Sequence, residues 1–235
     1  MSFLAQASQE TIKFTPKIEK IDIQPTKNPD EPGYLDIFFR KEESDGEFLR
    51  LYFSRPSSPT ETLGENCHGY TIKYLLKTLL PTWKTDLPIH LDPENIEDNP
   101  IKNSTDFPTL VKKLCAPVTT KIFLGFPFHY DSKRNRKYIN DFKVSVLPQI
   151  KSGDIILFHG IRPTISINGD HHYDILGGED TITHSAVVIT TDDREQIIFR
   201  DKEGQADVRF NITLDDILKS YPSITSCDIY RINKE

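Results

Sequence analysis

The sequence predicts an α+β protein in which a core helix lies against an antiparallel sheet, preceded by a β-rich extension. Three observations carry this. Ile72, Leu75, Leu76, Leu79 and Leu80 repeat at i, i+3, i+4, i+7 and i+8, the stripe of a core-facing helix. After residue 150, short apolar segments alternate with turn residues, the pattern of antiparallel strands. Near the N-terminus, YLDIFFR and EFLRLYFS bracket KEESDG, a hairpin signal.

Residues 1–15 carry no pattern and read as a loose arm. Ile18, Ile21 and Ile23 mark a strand over 17–23, and the Pro-, Asn- and Asp-rich 25–33 is a loop. The hairpin strands Tyr34–Arg40 and Glu47–Ser54 complete a β-rich N-terminal extension or subdomain, residues 1–58. Residues 59–235 form the main domain, entered through the linker composition of 55–66. Cys67 lies at or just before the first turn of the striped helix, and Pro81 stops it. Residues 81–106 read as a surface excursion, Phe107–Leu114 as a short helix and Lys121–Phe128 as a strand. Tyr138–Ile150 reads as a helix limited by Pro148. Lys151–Asp154 is a turn before the buried strand Ile155–Phe158, and 160–182 is a long loop. Thr183–Thr190 and Gln196–Arg200 are strands joined by a turn; Leu214–Ser220 is a helix and Cys227–Ile232 a last strand. The helices are expected on one side of the sheet.

Composition removes several function classes. The net charge of −6 argues against a general nucleic-acid binder, which needs a basic surface. No window approaches 18 apolar residues, so no membrane-spanning helix is expected. Residues 1–15 lack a basic start followed by an apolar run. A cytoplasmic location is therefore expected, with signal-independent export as an effector or toxin as the alternative. Cys67, Cys115 and Cys227 are an odd set without a CxxC pair, which fits neither a disulfide framework nor a cysteine zinc site. The glycines form no phosphate-binding or dinucleotide pattern, and no cofactor is expected. Asp170-His171-His172-Tyr173-Asp174 lacks the i, i+4 spacing of a helical His pair and reads as a solvated loop or cleft lid; no metal is expected. The basic run Lys133–Lys137 reads as a solvated loop.

What remains is cysteine chemistry. A thiol attacks a carbonyl as thiolate, and a helix start lowers its pKa through free N–H groups and the dipole. Cys67 meets that condition. A base must lie within reach in space, and His184, at the start of a buried strand, is the candidate. Asp201 ends the next strand, and the hairpin returns it to the edge that carries His184; Lys202 and Glu203 compete for this orienting role. His68 points about 100° away from Cys67 on the helix, so it is a poor base and a candidate for lining the cleft. Asn66, or the backbone N–H of Cys67, is a candidate oxyanion donor. Cys115 and Cys227 read as core thiols.

The order Asn66-Cys67-His68-Gly69-Tyr70, then Gly153-Asp154-Ile155-Ile156-Leu157-Phe158, then Thr183-His184-Ser185-Ala186-Val187-Val188, then a polar residue on the next strand, resembles the NlpC/P60 and CHAP branch of papain-like cysteine hydrolases. The likeness spans roughly residues 60–205. It implies a papain-like domain with Cys67 as nucleophile, His184 as base and Asp201 as third member. The implied activity is hydrolysis of an amide bond (peptide, isopeptide or glutamine-type) in a peptide or protein substrate. An acyltransferase or transglutaminase-like enzyme on the same triad, and a non-catalytic binding protein that keeps the fold, are the alternatives.

Overall fold

The computed structural model describes residues 17–24, 33–40, 48–52, 65–91, 106–128, 133–161, 164–165, 171–172, 180–191, 197–202 and 207–232. The expected N-terminal arm, most of the 55–66 linker, most of the 160–182 loop and Glu203 lie outside these residues, and the described parts of that loop are strand rather than loop. The architecture is mixed α+β. Strands β1 (Ile18–Gln24), β2 (Tyr34–Phe39) and β3 (Phe48–Tyr52) form a three-stranded antiparallel sheet of their own, in the order β1-β2-β3. Helix α1 (Cys67–Leu79) and helix α2 (Phe107–Leu114) follow. Next come β4 (Cys115–Phe123), α3 (Lys133–Ser145), a 3-10 turn over Leu147–Gln149 and β5 (Ile155–Ile161). Two short strands, β6 (Thr164–Ile165) and β7 (His171–His172), pair with each other. The chain ends with β8 (Asp180–Thr191), β9 (Ile197–Lys202), β10 (Val208–Thr213), α4 (Leu214–Ser220) and β11 (Ile224–Ile232).

The main sheet has six strands in the order β10-β9-β8-β5-β11-β4, antiparallel throughout. Strand β5 sits inside it and is apolar on both faces, as its unbroken IILF run requires. Ile155 and Leu157 join a core with Ile72, Leu75 and Leu76 of α1, Phe107 and Leu110 of α2, and Leu35, Ile37 and Leu51 of the small sheet. Ile156 and Phe158 join a second core with Ile139 and Phe142 of α3 and Ile217 and Leu218 of α4. Helices therefore cover both faces, a correction to the one-sided arrangement expected from sequence. The physical reason is the two-sided apolar character of β5, which leaves neither face suited to water.

Three local readings change as well. The strand placed at 121–128 is β4, Cys115–Phe123. It is the edge strand of its sheet, where Pro117 removes no needed hydrogen bond. The chain then turns at Gly125, at φ 143, against the Asn135 side chain, which bonds both the N–H and the C=O of Phe126 at 2.9 and 2.8 Å. The run Lys133–Lys137 opens α3 rather than a loop: its charges face water while Asn135, Ile139 and Phe142 face inward. Strand β10 had no counterpart in the sequence reading. Its Val208, Phe210 and Ile212 alternate, but Phe210 is 59% exposed and a bulge interrupts the pairing.

The Gly153-Asp154 turn is a structural fixture. Gly153 adopts φ 90, a conformation suited to glycine. Buried Asp154 accepts from the Lys151 N–H at 2.8 Å and takes a forked pair of bonds from Arg231 at 2.8 and 2.7 Å. Asp154→Ala leaves Arg231 of β11 without its carboxylate and the turn without its bond. The expected loss is about 2 kcal/mol, since Arg231 keeps partial access to water; urea unfolding of the variant against the wild type measures it.

Candidate active site

Helix α1 begins at Cys67 because Asn66 stops the extended chain there. Asn66, at φ −104 and ψ −177, accepts from the Gly69 N–H through its side chain at 2.9 Å, the bond of an N-cap. The same amide holds the segment that returns from the far end of the helix. Its oxygen accepts from the Leu91 N–H at 3.2 Å, and its Nδ2 donates to the Leu91 carbonyl at 2.7 Å. Gly69 is required by that approach, because a Cβ there would strike the Ile89 carbonyl. The Asn-Cys-His-Gly run is thus a cap, a nucleophile candidate, a buried ring and a close-contact glycine. No acidic residue occupies the first turn, so the helix start keeps its positive end.

His184 of β8 is fully buried, its ring stacked on Tyr221 at 4.2 Å and facing Phe158 at 6.0 Å. Its Nε2–H donates to Asp201 Oδ2 at 2.8 Å. Asp201 is equally buried, and Arg209 grips both its oxygens at 2.9 and 2.7 Å. The register explains the meeting. Val187 pairs with Arg200, so Asp201 lies across from Ala186 and diagonal to His184. Arg209 is the direct partner of Asp201 on β10. The remaining ring nitrogen of His184, Nδ1, is buried without a hydrogen-bond partner, yet the ring is close enough to Cys67 for each group to move the other's pKa.

Those shifts run in opposite directions. Burial alone pushes the Cys67 thiol up, but the charges of His68 and His184 together hold it well below its ordinary value. Burial alone pushes the His184 imidazole down, but Cys67 and Asp201 outweigh it and raise it to about 9. Asp201 is held below the usual carboxylate range: His184 and Arg209 overcome its burial. The arrangement favours a thiolate–imidazolium pair at neutral pH. The other two cysteines contrast with it. Burial pushes Cys115 up to about 12 and Cys227 further still, so both remain neutral core thiols.

Cys67, His184 and Asp201 therefore come together, while the two cleft candidates have other work. Asn66 spends its side chain on the cap and on Leu91, which leaves the backbone N–H groups of the first turn as the oxyanion donors available there. His68 is only 4% exposed and does not line an open cleft. It lies 5.0 Å from the Phe107 ring, and its Nδ1 is 3.0 Å from Ser185 Oγ. Thr71 Oγ1 also meets Ser185 Oγ at 3.0 Å. This buried network ties α1 to β8, the elements that carry Cys67 and His184. Ser185, Thr71, Arg209 and Tyr221 were not singled out from sequence; the alternation of Val208, Phe210 and Ile212 was the one signal pointing toward Arg209. Among the described residues, no cluster of three His, Cys, Asp or Glu side chains suits a metal ion. None of their helices is long and apolar enough to cross a membrane.

Comparison with protein-family models, with curated proteins and with solved structures finds no match.

Two substitutions test this geometry. Ser185→Ala strands buried polar atoms of His68 and Thr71 and is expected to cost about 1–3 kcal/mol in urea unfolding. Asp201→Asn removes the charge that helps hold the proton on His184. The imidazole pKa is expected to fall and the Cys67 pKa to rise, so the pH at which iodoacetamide alkylation of Cys67 reaches half its maximum moves up by the same amount.

Proposed function

We propose that this protein is a cysteine-nucleophile hydrolase of papain-like fold that cleaves an amide bond through a thioester on Cys67. The observation that carries the reading is the coupled pair: a thiol on a capped helix start and a buried imidazole, held by a carboxylate, with pKa values moved in opposite directions. Such a pair has the nucleophile ionised and the acid protonated before substrate arrives. The order of the motifs along the chain, which resembles the NlpC/P60 and CHAP branch, supports the same reading.

The chemistry follows from the groups. Cys67 Sγ attacks the carbonyl carbon, and the negative charge that forms on oxygen faces the free N–H groups of the first turn of α1. The C–N bond then breaks. The proton on His184 Nδ1, the nitrogen not engaged by Asp201, passes to the leaving amine. Water attacks the thioester next and gives its proton to His184, and Cys67 departs as thiolate. Asp201 keeps Nε2 protonated and the ring oriented throughout, and Arg209 keeps Asp201 ionised and in place.

The pH dependence has a fixed sign. Cys67 must be ionised, which sets the acid limb well below the ordinary thiol range. His184 must be protonated to serve the leaving group, which sets the alkaline limb near 9. Mass-spectrometric mapping of iodoacetamide labelling tests the pair without a known substrate. Cys67 is expected to label readily below pH 7, alone among the three cysteines. In His184→Ala its rate is expected to fall at least tenfold at pH 6.5. A Cys67 that titrates near 8.5 with or without His184 sinks the proposal.

A further inference from the structure

Among the described residues, half-buried arginines occur at positions 50, 200, 209 and 231. Arg50 donates to both oxygens of Asp36 at 2.6 Å each. Arg209 does the same with Asp201, and Arg231 with Asp154. Among the described residues no carboxylate pairs with Arg200 in this way, and its Nε is buried with no hydrogen-bond partner. Counter-ions are not scarce in a chain with 35 acidic residues against 29 Lys and Arg. The nearby acid at the entry to α1, Glu65, is engaged by Lys73 at 2.6 Å.

Rings surround this guanidinium instead. Its carbon lies 5.8 Å from the Tyr70 centroid and 5.7 Å from those of Tyr74 and Phe210. These distances sit at the ~6 Å limit of a useful cation–π contact. Arg50 over Tyr34, at 4.1 Å, and Arg134 over Phe126, at 4.3 Å, show what close stacking looks like in this molecule. The rings therefore wall Arg200 in and strip part of its water without pairing with it. A half-desolvated cation of this kind attracts an anion more strongly than one in bulk water.

Its place is beside the candidate site. Arg200 adjoins Asp201 on β9, and its cross-strand partners are Val187 and Phe210. Contact with Tyr70 and Tyr74 sets it against the face of α1. Tyr70 stands three residues after Cys67, so the two share a helix face with Cβ atoms ~5–6 Å apart. The guanidinium, 5.8 Å from the Tyr70 ring, therefore lies off the face of α1 that also carries Cys67. A residue flanking a scissile bond can reach along that face, since an extended chain advances ~3.3–3.6 Å per residue and a side chain adds its own reach. Burial raises the pKa of Tyr70, which keeps its hydroxyl as a neutral donor in the same corner.

We propose that Arg200 is the anion-recognition residue of the Cys67 site, and that the substrate is an amide bearing a carboxylate on a residue next to the scissile bond. The guanidinium fork matches a carboxylate in shape and charge. This assignment rests on the hydrolase reading above.

A matched pair of alkylating probes separates the two. N-iodoacetylglycine carries a carboxylate, and N-iodoacetylglycinamide is its neutral counterpart. In each case the thiolate displaces iodide and forms one C–S bond. The ratio of their rates at Cys67, relative to the ratio for N-acetylcysteine, reports anion recognition; changes in thiol reactivity cancel from it. The wild type is expected to favour the anionic probe roughly fivefold, an advantage that fades with added salt. Arg200→Gln is expected to bring the ratio to that of N-acetylcysteine, and Arg200→Lys to keep part of the preference. A wild-type ratio equal to that of N-acetylcysteine overturns the assignment even if Arg200→Gln fails to fold. So does a preference that survives in Arg200→Gln. If Cys67 reacts with neither probe, the hydrolase reading fails first and takes this one with it.

Discussion

The buried carboxylate of Asp201 is the constraint around which the site is arranged. A lone carboxylate with no exposure to water would take up a proton or open the structure, because an unpaired buried charge is costly. Here it accepts from His184 on one neighbouring strand and from Arg209 on the other. Strand β9 must therefore lie between β8 and β10, in a register that puts these three side chains together. Alternating charge runs from Arg209 through Asp201 and His184 to Cys67, and each member stabilises the ionised form of the next. Removing one link leaves its neighbours buried and uncompensated, so the site and the strand order depend on one another.

The Cys67 end of that chain depends on different physics. Asn66 makes two side-chain hydrogen bonds to Leu91 and accepts a third from the Gly69 N–H, so one amide joins the helix start to the 89–91 segment, and Gly69 lets that segment approach. Ile72, Leu75 and Leu76 then fix the helix against the sheet, at about 1.5–3 kcal/mol for each fully buried side chain. Apolar burial sets the distance of α1 from the sheet but is indifferent to small rotations or slides. The His68–Ser185–Thr71 network supplies that missing direction, because hydrogen bonds are directional and these are fully enclosed. Core packing brings Cys67 near His184, and the polar network aims it.

Local patterns in the sequence were enough to read α1, the hairpin of β2 and β3, and the strands that carry His184 and Asp201, because each has a period or a turn of its own. The α+β class followed from them. Roles that depend on tertiary partners were not legible. His68 looked like a cleft residue because its neighbour is Cys67; its actual partners, Ser185 and Phe107, stand 117 and 39 positions away. Arg209 was missed with β10, whose edge position exposes Phe210 and weakens the apolar signal. The start of β4 was missed because Pro117 breaks its apolar pattern where an edge strand tolerates it. The two-sided placement of helices was implicit in the unbroken IILF of β5, a run whose length alone separates a doubly covered strand from a singly covered one.

Strand β9 also shows how one short segment can separate opposite electrostatic tasks. Successive residues of a strand point to opposite faces. Asp201 faces His184 and Arg209, partners the protein itself supplies. Arg200, one residue earlier, faces α1, where the described residues supply rings and no paired carboxylate. The difference cannot be assigned to the strand, since both side chains leave the same backbone within a few ångströms. It lies in what the neighbouring elements present on each side. On the inner face, β10 contributes Arg209 directly opposite Asp201, and the pair closes. On the α1 face, the cross-strand partner is Phe210, which cannot neutralise a guanidinium. An acidic residue at that position would have completed a second ion pair of the same kind, as Asp36 does for Arg50 across β2 and β3. With an aromatic ring there instead, none of the described residues forms an ion pair with Arg200, and under the proposal above an incoming carboxylate completes it.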